Sequence, residues 1–233
     1  MKPCAFADQS LKDHAEGSVK EMLSLFDDSY FKVVMRRLSL KYSPDEMKSL
    51  VTFLTWVHDI GKAAEYYQRQ FDDNCRPLRD KKTSFRFHEL GGALFLFYND
   101  WSDDMLKMFS VLSVLNHLNA MRGLHNLRSN EVREEFLKLE RYGKVFLSGL
   151  KYQNPFMNTY EVRDYKMEEL QKMVNYLKSY SQSKRVNMKG YVFLLVPIII
   201  GDNLDSSKNR EKDESFSSKS RFIQALLNEV RSP

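Results

Sequence analysis

Residues 53 to 68 read FLTWVHDIGKAAEYYQ, an apolar run that ends in His58 and Asp59 and is followed at once by Gly61 and Lys62. With 5 His and 16 Asp among 233 residues, a His-Asp pair arises by chance in about one chain in three. The pair acquires meaning only from what surrounds it. Upstream, SPDE at 43 to 46 supplies Ser43 as N-cap, Pro44 at the first helical position and Glu46 to complete a capping box. The helix so opened carries Met47, Leu50, Val51, Phe53, Leu54, Trp56 and Val57, an apolar face so wide that the helix is nearly buried all round. His58 and Asp59 are therefore interior. Adjacent helical residues point about 100° apart, so the two face one point only across a local kink; otherwise Asp59 bridges two ions while His58 binds one.

The composition fits an ordinary helix-rich globular protein: 42% apolar, 29% charged, 9 Gly and 6 Pro. A chain of 233 residues builds one sizeable core, and a single domain over 1–233 is expected. The net charge of +5 suits a polyanionic partner without requiring one. Cys4 and Cys75, the only cysteines, are far apart in sequence and read as neither a disulfide framework nor a zinc site, which points to a reducing cytosolic setting. The start, MKPCAFADQSLKDH, lacks the apolar core of a signal peptide. The longest apolar run, YVFLLVPIII at 191 to 200, contains Pro197 and is half the length of a bilayer span; it reads as a buried element, and no membrane partner is expected.

Further helices follow from periodicity. Ser10 caps LKDHAEGSVKEMLSLF and places His14 in its first turns; FHELGGALFLFYND places His88 at the start of another; SDDMLKMFSVLSVLNH, capped by Ser102 or Asp103, ends near His117. Between them DDNCRPLRDKKTS, 72 to 84, reads as a basic surface loop carrying Arg76, Arg79, Lys81 and Lys82. NEVREEFLKLERYGKVFL and YKMEELQKMVNYLKSY read as two solvated outer helices. GYVFLLVPIIIGD is a buried strand or a buried helix, which periodicity does not arbitrate. After it a mobile polar segment over about 203–219 is expected, then a last amphipathic helix, RFIQALLNEV.

Four of the five histidines thus sit at or near helix ends, with His125 beyond the fourth helix. Each alone reads as a hydrogen-bonded core or surface residue. Asp202, which follows the apolar run through Gly201, alters the joint reading: a carboxylate buried there needs a cation, a hydrogen-bond network or a metal. Imidazole and carboxylate together suit Mn, Fe, Ni, Co or Zn, and Mg where oxygen dominates.

His14, His58-Asp59 and Asp202 resemble the pattern of the HD superfamily of metal-dependent phosphohydrolases. LKDHAEGS, WVHDIGKAAEYYQRQF, FRFHELGGALF, LNHLNAMRG and GDNLDSSKNR look more closely like the standalone HD nuclease of type I CRISPR interference, over about residues 10 to 210. The resemblance implies an all-α helical bundle with a central metal site: His14, His58, Asp59 and Asp202 on one ion, and Asp59 with His88 and His117 on a second. Leu118 stands where many relatives carry a second consecutive histidine; His125 substitutes only if the chain turns back at Gly123, and otherwise is a surface residue.

The implied activity is hydrolysis of phosphodiester bonds in single-stranded DNA, with RNA kept open. A bound Mg, Mn, Ni or Co ion activates water and neutralises phosphoryl charge, and a second can clamp the same displacement. Asp59 and Lys62 are the catalytic candidates; Lys62 either faces the site, to stabilise developing negative charge, or is an exposed helix lysine. Phosphate contacts are assigned to Arg76, Arg79, Lys81, Lys82, Arg122 and Arg210, with Ser206 and Lys208 as further candidates and Tyr66, Tyr67 or Phe71 as stacking surfaces. A G-x-x-x-x-G-K-[ST] loop is absent, so a separate helicase subunit and an RNA-guided effector complex are the implied partners. The rival readings are a small-molecule HD phosphohydrolase acting on nucleotides or cyclic nucleotides, and a non-catalytic HD scaffold.

Overall fold

The computed structural model describes residues 2–79, 83–118, 131–183 and 188–210. A short antiparallel hairpin, β1 (Cys4–Phe6) and β2 (Gln9–Ser10), leads straight into α1 (Leu11–Leu25). Ser10 is the N-cap, its hydroxyl accepting from Asp13 N at 3.1 Å. Next come α2 (Asp28–Leu38) and α3 (Pro44–Val57). The capping box opens α3: Ser43 Oγ accepts from Glu46 N at 3.1 Å, and the Glu46 carboxylate accepts from Ser43 N at 2.7 Å. A 3-10 turn (Ile60–Ala63) and the short α4 (Glu65–Gln68) precede α5 (His88–Tyr98) and α6 (Asp104–Asn116). Asp103, not Ser102, caps α6. The order closes with α7 (Glu140–Leu147), α8 (Met167–Ser183) and α9 (Val192–Arg210). The architecture is all-α apart from the hairpin.

Helix α9 packs against α1, α3 and α6, while α5 lies on α6 and the 3-10 turn. Its apolar run resolves the strand-or-helix ambiguity: GYVFLLVPIIIGD is mostly helical, with Pro197 inside α9. A proline there leaves the carbonyl four residues back without its N–H partner. That carbonyl belongs to Phe193, and Tyr30 on α2 donates its hydroxyl to it at 2.7 Å. The helix also runs on through Arg210, so residues 203–210, expected in a mobile polar segment, are helical; Leu204 packs against the core and Asp205 is buried, accepting from Gln9. The remainder of the expected segment and the RFIQALLNEV helix lie outside the described residues.

Two glycines permit the closest backbone approaches. A Cβ on Gly201 would lie 2.4 Å from the Ser18 carbonyl oxygen of α1, and one on Gly61 would lie 1.8 Å from the His88 carbonyl oxygen of α5. Any side chain there would push apart elements that carry functional candidates.

Two expectations are corrected. The first outer helix is broken into a 3-10 turn (Glu134–Leu137) and α7, because Lys138 pairs with Asp164 and the Asp164 carboxylate accepts from Glu140 N at 2.9 Å. It is also not merely solvated, since Phe136, Leu137, Leu139 and Phe146 are buried and Trp56 stacks on Phe146 at 4.0 Å between ring centroids. Cys4 and Cys75 form a disulfide, with 5.4 Å between their Cα atoms. Folding brings β1 against the loop after α4, which sequence distance hides. Closing a loop of 71 residues stabilises by about 4 kcal/mol in the chain-entropy account, and the cysteine argument for a reducing compartment falls away.

The Tyr30 bond gives a direct test of the α9 account. Tyr30→Phe strands the Phe193 carbonyl and is expected to lower stability by about 1 to 3 kcal/mol, read from urea unfolding; a change under about 0.5 kcal/mol would show that the carbonyl does not depend on this hydroxyl.

Candidate metal centre

The side chains singled out in sequence converge from five elements. His14 comes from the first turns of α1, His58 from the C-terminal end of α3, His88 from the first residue of α5, His117 from the end of α6 and Asp202 from the middle of α9. Asp59 lies where α3 stops: its backbone, at φ −98° and ψ 9°, leaves the helical region between His58 and the 3-10 turn. This is the kink that lets adjacent residues share a site. The turn before α5 is also unusual, with Phe87 at φ 72°, a left-handed conformation costing about 1 to 3 kcal/mol in a non-glycine residue. It delivers His88 directly into the centre.

Two donor groups result, with Asp59 in both. In the first, His14, His58, Asp59 and Asp202 each offer an atom, all within 4.8 Å of one another. His14 Nε2 lies 3.1 Å from Asp59 Oδ2 and 3.2 Å from Asp202 Oδ1, and His58 Nε2 lies 3.5 and 3.8 Å from the same two atoms. In the second, Asp59 Oδ1 is 2.7 Å from His88 Nε2 and 3.3 Å from His117 Nε2, and the two imidazole nitrogens are 3.2 Å apart. Ligands sharing an ion with bonds of about 2.0 to 2.2 Å stand about 3 to 3.4 Å apart at ordinary coordination angles. Four of the seven separations fall in that range, and the other three, 2.7, 3.5 and 3.8 Å, lie within about 0.4 Å of it.

Proton accounting strengthens the fit. His58, His88 and His117 each place Nδ1 2.6 Å from a backbone carbonyl, those of Thr55, Phe85 and Val114. A carbonyl only accepts, so each Nδ1 carries the proton and, in the neutral ring, each Nε2 presents a lone pair. The lone pairs of His88 and His117 therefore face each other and Asp59 Oδ1. In the first group, His14 Nε2 and His58 Nε2 are buried without a well-formed hydrogen bond, and Asp59 Oδ2 meets the Lys62 ammonium. Such an array is stable only if protons or a cation enter it.

Charge leads to the same conclusion. Asp59 is buried and Asp202 nearly so, and Asp205 stands behind His14, while Lys62 supplies the one fixed cation in contact with Asp59 among the described residues. Burial opposes ionisation of both Asp59 and Asp202, yet both are held well below the usual carboxylate range: Asp59 chiefly by Lys62 with His58 and His88, Asp202 by His14 and His58. Burial likewise disfavours the His14 imidazolium, but the carboxylates of Asp202, Asp205 and Asp59 outweigh it and push its pKa up to about 10. His117 is raised by Asp59 in the same way.

Lys62 is buried, not an exposed helix lysine. Its Nζ is 2.6 Å from Asp59 Oδ2 and lies 3.9 Å above the centroid of the Phe6 ring. Phe6 also meets the His14 ring edge-on at 5.1 Å. Sequence reasoning missed Phe6, Gln9 and Asp205. Asp205, three residues after Asp202, shares its face of α9 and was legible once that stretch is read as a helix.

The other candidates divide. Arg76 and Arg79 are exposed in the loop after α4, with no contact to the donor groups among the described residues, and Arg210 is the last residue of α9. Lys81, Lys82, Arg122 and His125 lie outside the described residues, whereas Leu118, directly after His117, is half-buried. Tyr67 and Phe71 are core residues, packed with Phe136 and Phe85, and not stacking surfaces; Tyr66 is partly exposed. Ser206 donates to Asp202 and Lys208 pairs with Glu21, so both are engaged within the fold.

Residues 8–177 match the family model described as "Cas3, HD domain". The chain is 37% identical, over 99% of its length and 97% of the relative's, to the CRISPR-associated endonuclease Cas3-HD of Saccharolobus solfataricus. It is 28% identical to the CRISPR-associated endonuclease Cas3-HD of Methanocaldococcus jannaschii, over 61% of this chain and 60% of that one. A solved structure, the CRISPR-associated Cas3 HD domain protein from Methanocaldococcus jannaschii, superposes with a TM-score of 0.57 at 20% identity, covering 87% of this chain and 99% of that chain, and so shares the fold. By its sequence match, its helical bundle and its convergent His-Asp cluster, the chain belongs to the Cas3 HD-domain family.

Proposed function

We propose that the chain is a metal-dependent nuclease that hydrolyses phosphodiester bonds of single-stranded DNA in CRISPR interference. The observation that carries this reading is Asp59, one buried carboxylate whose two oxygens address two separate sets of imidazoles. The relatives' description as CRISPR-associated endonucleases supports the reaction class. His14, His58, Asp59 and Asp202 would hold one divalent ion, Mg, Mn, Ni or Co, and Asp59, His88 and His117 a second. With Leu118 after His117, the second group has three protein donors among the described residues, so its ion is expected to bind more weakly. A divalent ion bound there lowers the pKa of coordinated water and neutralises charge on phosphoryl oxygens.

The chain's own residues do the rest. The Nδ1–H bonds of His58, His88 and His117 fix each ring with Nε2 turned inward. Lys62 stands against Asp59 from the Phe6 side, screened from water, where its ammonium stabilises negative charge developing on a phosphate oxygen. Asp202 is the most exposed member of the first group, its side chain 15% accessible, and marks the side from which substrate enters. Arg76 and Arg79, with Lys81, Lys82, Arg122 and Arg210, are proposed to contact backbone phosphates. Unwound strand would come from a separate helicase subunit and an RNA-guided effector complex, in the cytoplasm. No helix among the described residues is long and apolar enough to cross a membrane.

With Mg, Mn, Ni or Co and a panel of single-stranded DNA, duplex DNA, RNA and free nucleotides, cleavage of single-stranded DNA is expected. Asp59→Ala should reduce it by about a thousandfold or more. Turnover of free nucleotides alone, or an active Asp59→Ala variant, would overturn the reading.

Proton linkage offers an independent check. His14, with its pKa pushed up to about 10, is protonated at neutral pH in the metal-free protein and must lose that proton to become a ligand. Ion binding is therefore expected to release a proton below about pH 10, and affinity to rise with pH over that range. Calorimetry in buffers of different ionisation enthalpy reads this directly; the same apparent enthalpy in every buffer would contradict it.

A further inference from the structure

His14 is anchored differently from the other imidazoles. Thr55 and Val114, whose carbonyls accept from His58 and His117, lie in the last turns of α3 and α6, and Phe85, which accepts from His88, lies in the turn before α5. The Phe85 and Val114 carbonyls also accept the backbone N–H of His88 and His117, at 3.2 and 3.5 Å, and a carbonyl at a helix end still has a lone pair to offer the ring N–H. His14 sits in the first turns of α1, where the carbonyls three and four residues back face helical N–H groups. Its Nδ1 turns instead to a side chain, Asp205 Oδ2, at 2.7 Å. Gln9, the first residue of β2, donates its Nε2 to the same oxygen at 2.9 Å.

Asp205 belongs to neither donor group, so it acts through His14. A charged carboxylate is a stronger acceptor than an amide carbonyl. When it accepts the distal N–H of a ligating imidazole it fixes the tautomer and raises the basicity of the ligating nitrogen. The backbone-anchored histidines lack that increment. Both His88 and His117 of the second group are of the backbone-anchored kind, whereas the first group contains His14.

We infer that Asp205 is a positioning residue for His14, steered by Gln9, and that this side-chain anchor makes the His14, His58, Asp59 and Asp202 group the first of the two to take a divalent ion. The inference rests on reading the cluster as a metal centre and gives the order of loading a cause beyond the count of donors, one that Asp205 and Gln9 carry. The hairpin gains a role as well: Cys4 is disulfide-bonded to Cys75 and β2 pairs with β1, so Gln9 is held on Asp205 by a tethered strand.

The test is a calorimetric titration of the full chain with Mn(II), with the site filled at each equivalent located by anomalous diffraction from crystals. In the wild-type chain the first equivalent should occupy the His14, His58, Asp59 and Asp202 group, and only further Mn(II) the Asp59, His88 and His117 group. Asp205→Asn should weaken the first binding step by about 10- to 100-fold and abolish that order, with the second step changed less; Gln9→Ala should weaken the first step by a smaller factor. A purely structural role would weaken both steps together, and that result, or an unchanged order and affinity in Asp205→Asn, would overturn the inference. If Asp205→Asn does not fold, Gln9→Ala decides on the same criterion. Two ordered binding steps in the wild type that are indifferent to both substitutions would defeat this inference while leaving the metal centre standing; no Mn(II) binding at all would defeat the metal centre itself.

Discussion

The structure is organised around the Asp59 carboxylate, buried where several helix ends meet. An ionised group in such a place is tolerated only when surrounded by compensating charge and donors. Lys62 supplies part of this, and four imidazoles surround the rest. In three of them, His58, His88 and His117, the proton arrangement of the neutral ring directs a lone pair at the carboxylate rather than an N–H bond. Without a further cation the cluster compensates by taking up protons, which is why His14 and His117 are both shifted upward. On the proposed reading a divalent ion is what this arrangement accommodates.

That demand shapes the backbone around it. Helix α3 must end at Val57 so that His58 and Asp59 can address one point, and the 3-10 turn behind them runs so close to α5 that position 61 has no room for a side chain. Helix α9 must approach α1 closely at Gly201 to bring Asp202 beside His14, and it must stay helical for another turn to bring Asp205 behind the same ring. Pro197 would weaken a helix asked to do this; the Tyr30 hydroxyl offsets the loss at Phe193. The strained turn at Phe87 belongs to the same set of requirements, since it starts α5 with His88 already pointing inward.

What was legible in sequence was what local patterns encode. The capping box at Ser43, the N-cap at Ser10 and the apolar face of the third helix all follow from near-neighbour chemistry, and they placed His14 and His58 correctly at helix ends. The grouping of His14, His58, Asp59, His88, His117 and Asp202 needed the family resemblance, because convergence from five elements is not a local property. Tertiary context defeated the rest. An all-apolar run with a proline gave no period to choose helix over strand, and a polar run after it looked solvated although it forms the inward face that carries Asp205. Cys4 and Cys75 looked unrelated because their pairing depends on how the hairpin folds against the loop. Lys62 stood open between a site residue and an exposed helix lysine until Phe6 and Asp59 closed around it.

The central claim is that Asp59 bridges two ion sites. Anomalous diffraction from crystals grown with Mn(II) tests it most directly. The account predicts one ion bound by His14, His58, Asp59 and Asp202 and a second, of lower occupancy, bound by Asp59, His88 and His117. Manganese found elsewhere on the chain, with this cluster holding only protons and water, would contradict it.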